Sequence, residues 1–319
     1  MASLKDVDIL VLNRFAPKLR DELAERFTLH DATAAPDKNA FIAGVQGRIR
    51  GIATSGHVRT DAAMIAAMPK LEIISSYSAG LDEIDVATAL KRGIVVTNTS
   101  QALYDDVADV AIGLMLNCLR GFVASDRYLR EGKWKSKGMF PLTTKVSGKT
   151  MGIIGLGAIG SSIAKRAEAM GMTIAYTTRT KRSGVPWRFV ERVQDLAQLA
   201  DVLVVACPGG EATRRLVNAE VLAALGPQGW LVNIARGSIV DEKALVEALQ
   251  KGTIAGGGLD VFEDEPNVPE ALLPLENVVL FPHLGSGTVE TREAMGRTMV
   301  DNLISHFSGK GALTPVKSA

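Results

Sequence analysis

The sequence predicts an α/β protein of two Rossmann-like lobes, each built on a parallel sheet, from three observations. Its 319 residues, 47% hydrophobic, are enough for two medium lobes with cores of their own. Short runs of Val, Ile and Leu alternate with helical segments in two successive series, the pattern of βα units whose strands are buried on both faces. One of those runs leads straight into a glycine-rich turn that opens an Ala-rich helix.

The first series is "VDILVLN" from Val7, "GIATS" from Gly51, "LEIISSYS" from Leu71 and "GIVVTNT" from Gly93. Residues 105–134, "DDVADVAIGLMLNCLRGFVASDRYLREGKW", have the length and apolar pattern of long helices, suited to joining lobes, to packing against another subunit, or to the core of one lobe. The second series is "KTMGIIGLG" from Lys149, "MTIAYTTR" from Met172, "ADVLVVAC" from Ala200, "GWLVNIAR" from Gly229, "TIAGGGLDV" from Thr253 and "NVVLFP" from Asn277. From Thr288, "TVETREAMGRTMVDNLISHF" has helical periodicity after the last strand and is placed to cross back to the first lobe. The tail "SGKGALTPVKSA" is expected to be irregular.

Composition narrows the partners. A net charge of +1 gives no reason to expect nucleic acid or an anionic membrane surface. The opening "MASLKDVDILVLN" carries charges where a signal peptide needs an apolar stretch, and no run reaches the length of a membrane span, so a soluble protein is expected. Cys118 and Cys207 stand far apart with only four histidines in the chain, which suggests neither a disulfide framework nor a metal site and fits a reducing cytoplasm.

In "MGIIGLGAIGSSIAKRAEAMGM" the spacing GxGxxG falls on Gly155, Gly157 and Gly160, with Leu156, Ala158 and Ile159 between them. The first glycine permits a tight turn, the second lets backbone approach a pyrophosphate, the third allows close helix packing, and the helix N-terminus favours the anion. A dinucleotide site is therefore expected. About twenty residues on, where an Asp or Glu would accept the 2′-hydroxyl of NAD, the chain has Thr178, Arg179, Thr180, Lys181 and Arg182. An acidic group there would repel a 2′-phosphate, whereas Arg179 can bind one through charge-assisted bonds, helped by Thr180 and by Arg182 or Lys181. NADPH is the expected cofactor, with NADH weaker; the alternative is a loop of merely solvated cations.

Three stretches of the second series end at strand tips, where open α/β sheets place their chemistry: "VNIARGSIVDEKAL", "GGGLDVFEDEP" and "LFPHLGSGT". They nominate Arg236, Glu265 and His283. For a 2-keto acid, Arg236 would hold the carboxylate and polarise the keto oxygen. His283 would give that oxygen a proton as hydride reaches carbon, with Glu265 bonded to its other nitrogen. A carboxylate at that place favours the imidazolium, so reduction is expected to fall as rising pH strips the proton. Each residue alone has a plainer reading as a surface ion pair, a solvated loop residue or a locally bonded histidine.

The ordered set "GIIGLGAIG", "VNIARGSIVDE", "GLDVFEDEP" and "PHLGSGT" resembles the D-isomer-specific 2-hydroxyacid dehydrogenase family, through nearly the whole chain. The resemblance implies a cofactor domain with dimerisation helices, residues 99–288, inserted into a flavodoxin-like substrate domain made of residues 1–98 and 289–319. It implies an active site in the cleft and a homodimer formed through the cofactor lobes. It assigns Arg236, Glu265 and His283 the roles above and gives the substrate carboxylate to the backbone of Ala79 and Gly80 in "SSYSAGLDEID". It has Asp260 orient the nicotinamide carboxamide and Cys207 and Pro208 line the cofactor, with Thr213, Ile234, Ala235 and Gly285 completing that lining. The segments "SYSAGLDEID", "DDVADVAIGLML" with Asp109, and "YTTRTKR" are similar to the NADPH-dependent reductases of the family.

Pocket walls are expected from the loop at Ser55 and from "KGMFPL", where Met139 and Phe140 either reach a partner subunit's cleft or pack an interface. The reading favours glyoxylate and hydroxypyruvate, reduced to glycolate and D-glycerate. Its alternatives are 4-hydroxyphenylpyruvate or 2-ketogluconate as substrate and, from another class, a dinucleotide-sensing protein similar to the family's corepressors.

Overall fold

In the computed structural model, which describes residues 4–316, the chain divides into two units: Met1–Leu103 with Thr288–Ala319, and Tyr104–Gly287. Residues 317–319 of the tail lie outside the described residues. The first unit runs β1 (Asp8–Val11), α1 (Pro17–Arg26), β2 (Thr28–Asp31), α2 (Lys38–Val45), β3 (Gly51–Thr54), α3 (Ala62–Ala66), β4 (Ile73–Ser76), α4 (Val86–Lys91) and β5 (Val95–Thr97). Its strands form one parallel sheet in the order β2-β1-β3-β4-β5, which reverses direction between β1 and β3. Asp37, Asp61 and Asp85 start α2, α3 and α4 by accepting the N–H of Ala40, Met64 and Thr88, each cap contributing about 1 kcal/mol. The edge strand β2 is an addition to the expected set: its sequence TLHD has no apolar run, and His30 Nε2 meets Asp8 Oδ1 at 2.6 Å beside β1.

The second unit begins with α5 (Tyr104–Arg120), α6 (Phe122–Arg130) and α7 (Lys133–Lys137). Gly121, with φ +61°, bends the path by 59° between α5 and α6, so residues 105–134 form three helices. Then come β6 (Thr150–Ile154), α8 (Ala158–Ala169), β7 (Thr173–Thr177), β8 (Arg188–Phe189), α9 (Val193–Leu199), β9 (Val202–Val205), α10 (Ala219–Leu225), β10 (Trp230–Asn233), α11 (Glu242–Lys251), β11 (Gly256–Leu259) and β12 (Val278–Leu280). All strands are parallel, in the order β12-β11-β10-β9-β6-β7-β8, and the order reverses between β6 and β9. Helix α5 lies close on β11 because Gly258 has no side chain; a Cβ there would stand 3.0 Å from Leu114 and 3.1 Å from Cys118 Sγ.

The chain then returns to the first unit as α12 (Val289–Ser305), capped by Thr288 Oγ1 accepting from Thr291 N–H. Successive residues of β1 face opposite ways: Leu10 packs with Ile52, Ile74 and Val96, while Ile9 and Val11 pack with Ile73 and with Met299, Val300 and Leu303 of α12. Both faces are covered, hence the unbroken apolar runs. The tail is more ordered than expected. A wide helical turn spans His306–Lys310, and buried Asn302 accepts the N–H of Leu313 and Thr314 through Oδ1. Among the described residues no single helix is long and apolar enough to cross a membrane.

Candidate active site

The strand order reverses between β6 and β9, and the carboxyl ends of the strands at such a switch point are the usual ligand position in these sheets. The glycine turn sits there, and each glycine has a different geometric reason. Gly155 has φ +98°, and a Cβ on it would lie 2.6 Å from backbone atoms of Cys207 in the loop after β9. At Gly160 a Cβ would lie 2.1 Å from the carbonyl oxygen of Gly155, so α8 packs directly on the turn. Gly157 is exposed, and a Cβ on it would meet nothing within 4 Å. This is open space over the N-terminus of α8, which fits a pyrophosphate. Buried Leu156 anchors the turn in the core, while Ala158 and Ile159 begin the helix at the surface.

Cys207 and Pro208 follow β9, and Thr213 folds that loop through Oγ1, which contacts the carbonyl oxygens of Pro208 and Gly210 at 2.8 and 3.2 Å. Burial pushes the Cys207 thiol up to about 11, so beside Gly155 it is a neutral, weakly polar group. Ile234, buried, and Ala235, half-buried, continue β10 alongside.

Beyond β7 the cationic loop is held from beneath. The fully buried Tyr176 accepts the N–H of Arg182 at its phenolic oxygen at 3.0 Å, and Thr178 Oγ1 donates to the Thr180 carbonyl at 2.7 Å. Arg179, Thr180, Lys181 and Arg182 are all exposed, and among the described residues no carboxylate pairs with Arg179, Lys181 or Arg182.

The loops after β10, β11 and β12 bring the proposed trio together. His283 Nδ1 lies 2.6 Å from Glu265 Oε2, and Glu265 Oε1 accepts the N–H of Phe262 at 3.0 Å, which fixes the carboxylate's plane. Gly237 has buried backbone on which a Cβ would sit 1.9 Å from the carbonyl carbon of Phe262, so the turn carrying Arg236 rests directly against the loop carrying Glu265. Arg236 itself is half-buried, with Nη1 donating to the Ala235 carbonyl at 2.6 Å.

His283 occupies left-handed backbone, φ +51°, and Asp260 holds it there. The Asp260 carbonyl accepts the N–H of His283 at 2.9 Å, and its two carboxylate oxygens accept those of Leu284 and Gly285 at 2.6 and 2.9 Å. Burial raises the pKa of Asp260, opposed by those backbone bonds and by nearby His283. Sequence reasoning missed Asn233, a buried residue whose Nδ2 donates to the Arg236 carbonyl and whose Oδ1 accepts from Ala235 N–H. Its one signal was a polar residue closing an otherwise apolar strand.

In the first unit, Ser55 is buried at the end of β3, and Ala79 and Gly80 follow β4, half-buried. No acceptor meets the backbone N–H of Ala79 or Gly80 among the described residues. Two adjacent donors without acceptors suit a carboxylate.

Known proteins resemble this chain over most of its length. Residues 112–285 match the family described as D-isomer specific 2-hydroxyacid dehydrogenase, NAD binding domain. The chain is 50% identical over 313 residues to a glyoxylate/hydroxypyruvate reductase A of Arabidopsis thaliana, covering 98% of this chain and 100% of that one. It is 49% identical to a hydroxyphenylpyruvate reductase of Plectranthus scutellarioides, with the same coverage. Among solved structures, an NADPH-dependent glyoxylate/hydroxypyruvate reductase of Sinorhizobium meliloti, in complex with NADP and malonate, superposes with a TM-score of 0.89 at 46% identity, covering 98% of this chain and 97% of that one.

Proposed function

The chain belongs to the D-isomer specific 2-hydroxyacid dehydrogenase family, and from that premise we propose that it reduces glyoxylate and hydroxypyruvate to glycolate and D-glycerate with NADPH. The observation that carries the reading is the 2.6 Å contact between His283 Nδ1 and Glu265 Oε2 on the same sheet whose switch point bears the glycine turn. With Nδ1 turned to the carboxylate, Nε2 is the nitrogen that presents a proton to the keto oxygen. Glu265 holds the orientation of the ring. Arg236 polarises the keto oxygen through its planar donors, and the N–H groups of Ala79 and Gly80 in the first unit suit a carboxylate. The bound nicotinamide supplies hydride; the chain supplies orientation and the proton.

NADPH is preferred because Arg179, Lys181 and Arg182 carry charge that no carboxylate of the described chain balances, on the loop that follows β7. Gly155–Gly160, Cys207, Pro208, Thr213, Ile234, Ala235, Asp260 and Gly285 would hold the dinucleotide. A homodimer is supported by Phe122, Val123, Leu129, Trp134, Met139 and Leu142, large apolar side chains 46% to 99% exposed along α6, α7 and the segment after them. A second substrate, 4-hydroxyphenylpyruvate, is favoured by the nearly equal identities to the two plant reductases, 50% and 49%.

Initial rates with NADPH and NADH against glyoxylate, hydroxypyruvate, 4-hydroxyphenylpyruvate and 2-ketogluconate test the proposal. The highest kcat/KM is expected for NADPH with the two small acids. Dominance of the aromatic acid would move the assignment to the second reading, and dominance of NADH would remove the role given to the cations.

A further inference from the structure

The turn Ser78–Gly80 is braced in a way that the fold alone does not require. Three successive carbonyl groups point into the protein and each has its own donor. The Ser78 carbonyl accepts from Thr99 N–H at 3.0 Å, the Ala79 carbonyl from Asn98 Nδ2 at 3.2 Å and the Gly80 carbonyl from Ser78 Oγ at 2.8 Å. A peptide unit is planar and trans, so its N–H points opposite to its C=O. Turning the Ser78 and Ala79 carbonyls inward therefore turns the N–H groups of Ala79 and Gly80 the other way.

The Ser78 hydroxyl has no choice of role. It lies 2.7 Å from Gly56 N, 2.8 Å from the Gly80 carbonyl and 2.7 Å from Ser76 Oγ. An amide N–H can only donate and a carbonyl can only accept, so the one hydroxyl hydrogen goes to Gly80 and the lone pairs take Gly56 N–H and the hydrogen of Ser76. One buried oxygen thereby ties the loop after β3 to the loop after β4. The approach is so close that a Cβ at Gly56 would lie 1.9 Å from the Gly80 oxygen.

We infer that Ser78 and Asn98 are the positioning residues of the substrate-carboxylate grip, setting the direction of the Ala79 and Gly80 N–H groups without touching substrate. This rests on the reading that those two N–H groups receive the carboxylate. Losing Asn98 frees the Ala79–Gly80 peptide plane that carries the Gly80 N–H, whereas losing the Ser78 hydroxyl frees the adjoining Gly80–Leu81 plane and the tie to Gly56 that hold the same turn; either loss weakens carboxylate binding and leaves the dinucleotide site in the other unit alone.

The test is kinetic, on the full chain, with oxalate as a competitive carboxylate probe. Ser78→Ala and Asn98→Ala are each expected to raise the oxalate inhibition constant and the KM for glyoxylate by about tenfold. KM for NADPH is expected to stay within about twofold, and Ser78→Thr, which keeps the hydroxyl, to recover most of the loss. The double variant is expected to lose less than the product of the two, because both brace one turn. An unchanged oxalate constant in both single variants, or a parallel rise in KM for NADPH, would overturn the inference. A crystal structure of the parent with NADP+ and oxalate separates this from failure of the underlying reading. A carboxylate seated away from Ala79 and Gly80 sinks the reading itself; one seated on them while both variants bind oxalate normally sinks only the brace.

Discussion

At position 283 the backbone is left-handed, a conformation that His and Asn tolerate better than most side chains, and three hydrogen bonds that Asp260 accepts from the N–H groups of His283, Leu284 and Gly285 hold it. A replacement that respects this backbone isolates the imidazole. His283→Asn is expected to lower kcat by about 10²- to 10⁴-fold, the usual value of a positioned proton donor. NADPH affinity, followed by quenching of its fluorescence, is expected to stay near the parent value, and retention of most of the turnover would remove His283 as the donor. Arg179→Ala addresses the opposite end of the cofactor: KM for NADPH is expected to rise at least about tenfold, the worth of a charge-assisted pair, with KM for NADH unmoved. The two cysteines give a pH prediction. Burial raises the thiols of Cys207 and Cys118 to about 11 and about 12, so the reactive thiolate is suppressed below those values and appears only as pH climbs towards them. At pH 8 iodoacetamide is expected to label the folded protein about a hundredfold more slowly than free cysteine, and urea unfolding to abolish the protection.

The glycine turn shows which features of an element a sequence announces. Gly160 is required because a Cβ on it would stand 2.1 Å from the Gly155 carbonyl oxygen, a consequence of turn and helix being consecutive, and Gly155 because of its φ of +98° and a Cβ position 2.6 Å from the Cys207 backbone; the spacing within the strand-turn-helix reveals both, although the Cys207 neighbour appears only in the fold. Arg236, Glu265 and His283 were legible for a similar reason, each lying just past a strand of the same sheet. Ser78, Asn98 and Asn233 were not, because their partners are carbonyl and amide groups whose direction exists only in the folded chain. The strands β2 and β8 escaped because TLHD and RF carry no apolar periodicity; the register of their neighbours makes them strands.

The turn also separates structural from functional glycines experimentally. Gly157→Ala meets no atom within 4 Å and has φ −79°, so the melting temperature is expected to hold or rise slightly. KM for NADPH is nevertheless expected to climb about tenfold or more, since the methyl group enters the space of the pyrophosphate. Gly155→Ala combines φ +98° with a clash against the Cys207 backbone and is expected to lose on the order of 3 kcal/mol of stability in urea unfolding. A stable Gly155→Ala protein, or a Gly157→Ala protein with unaltered cofactor affinity, would contradict the division of labour.

At the scale of the whole molecule the unsolved surface is the one formed by α6, α7 and the segment to Leu142. Leu129, Trp134, Met139 and Leu142 are 55%, 63%, 84% and 99% exposed, although each apolar side chain left in water forgoes about 1.5 to 3 kcal/mol that burial would contribute. A surface helix normally turns such groups inward, and α5 of the same unit does so with Leu114, Met115 and Leu119. Gly121 interrupts that pattern: its left-handed conformation redirects the chain by 59°, after which α6 has no buried residue. The bend thus separates a helix that serves its own core from one whose apolar groups need another surface, and a second copy of the chain is the self-complementary candidate. Sedimentation of the parent is expected to give a dimer at micromolar concentration, and Leu129→Asp combined with Trp134→Glu a monomer, because burying two carboxylates in an apolar interface costs several kcal/mol. Each unit keeps its own sheet and core in that variant, so far-ultraviolet circular dichroism is expected to match the parent. A parent that sediments as a monomer would leave the apolar surface without this explanation.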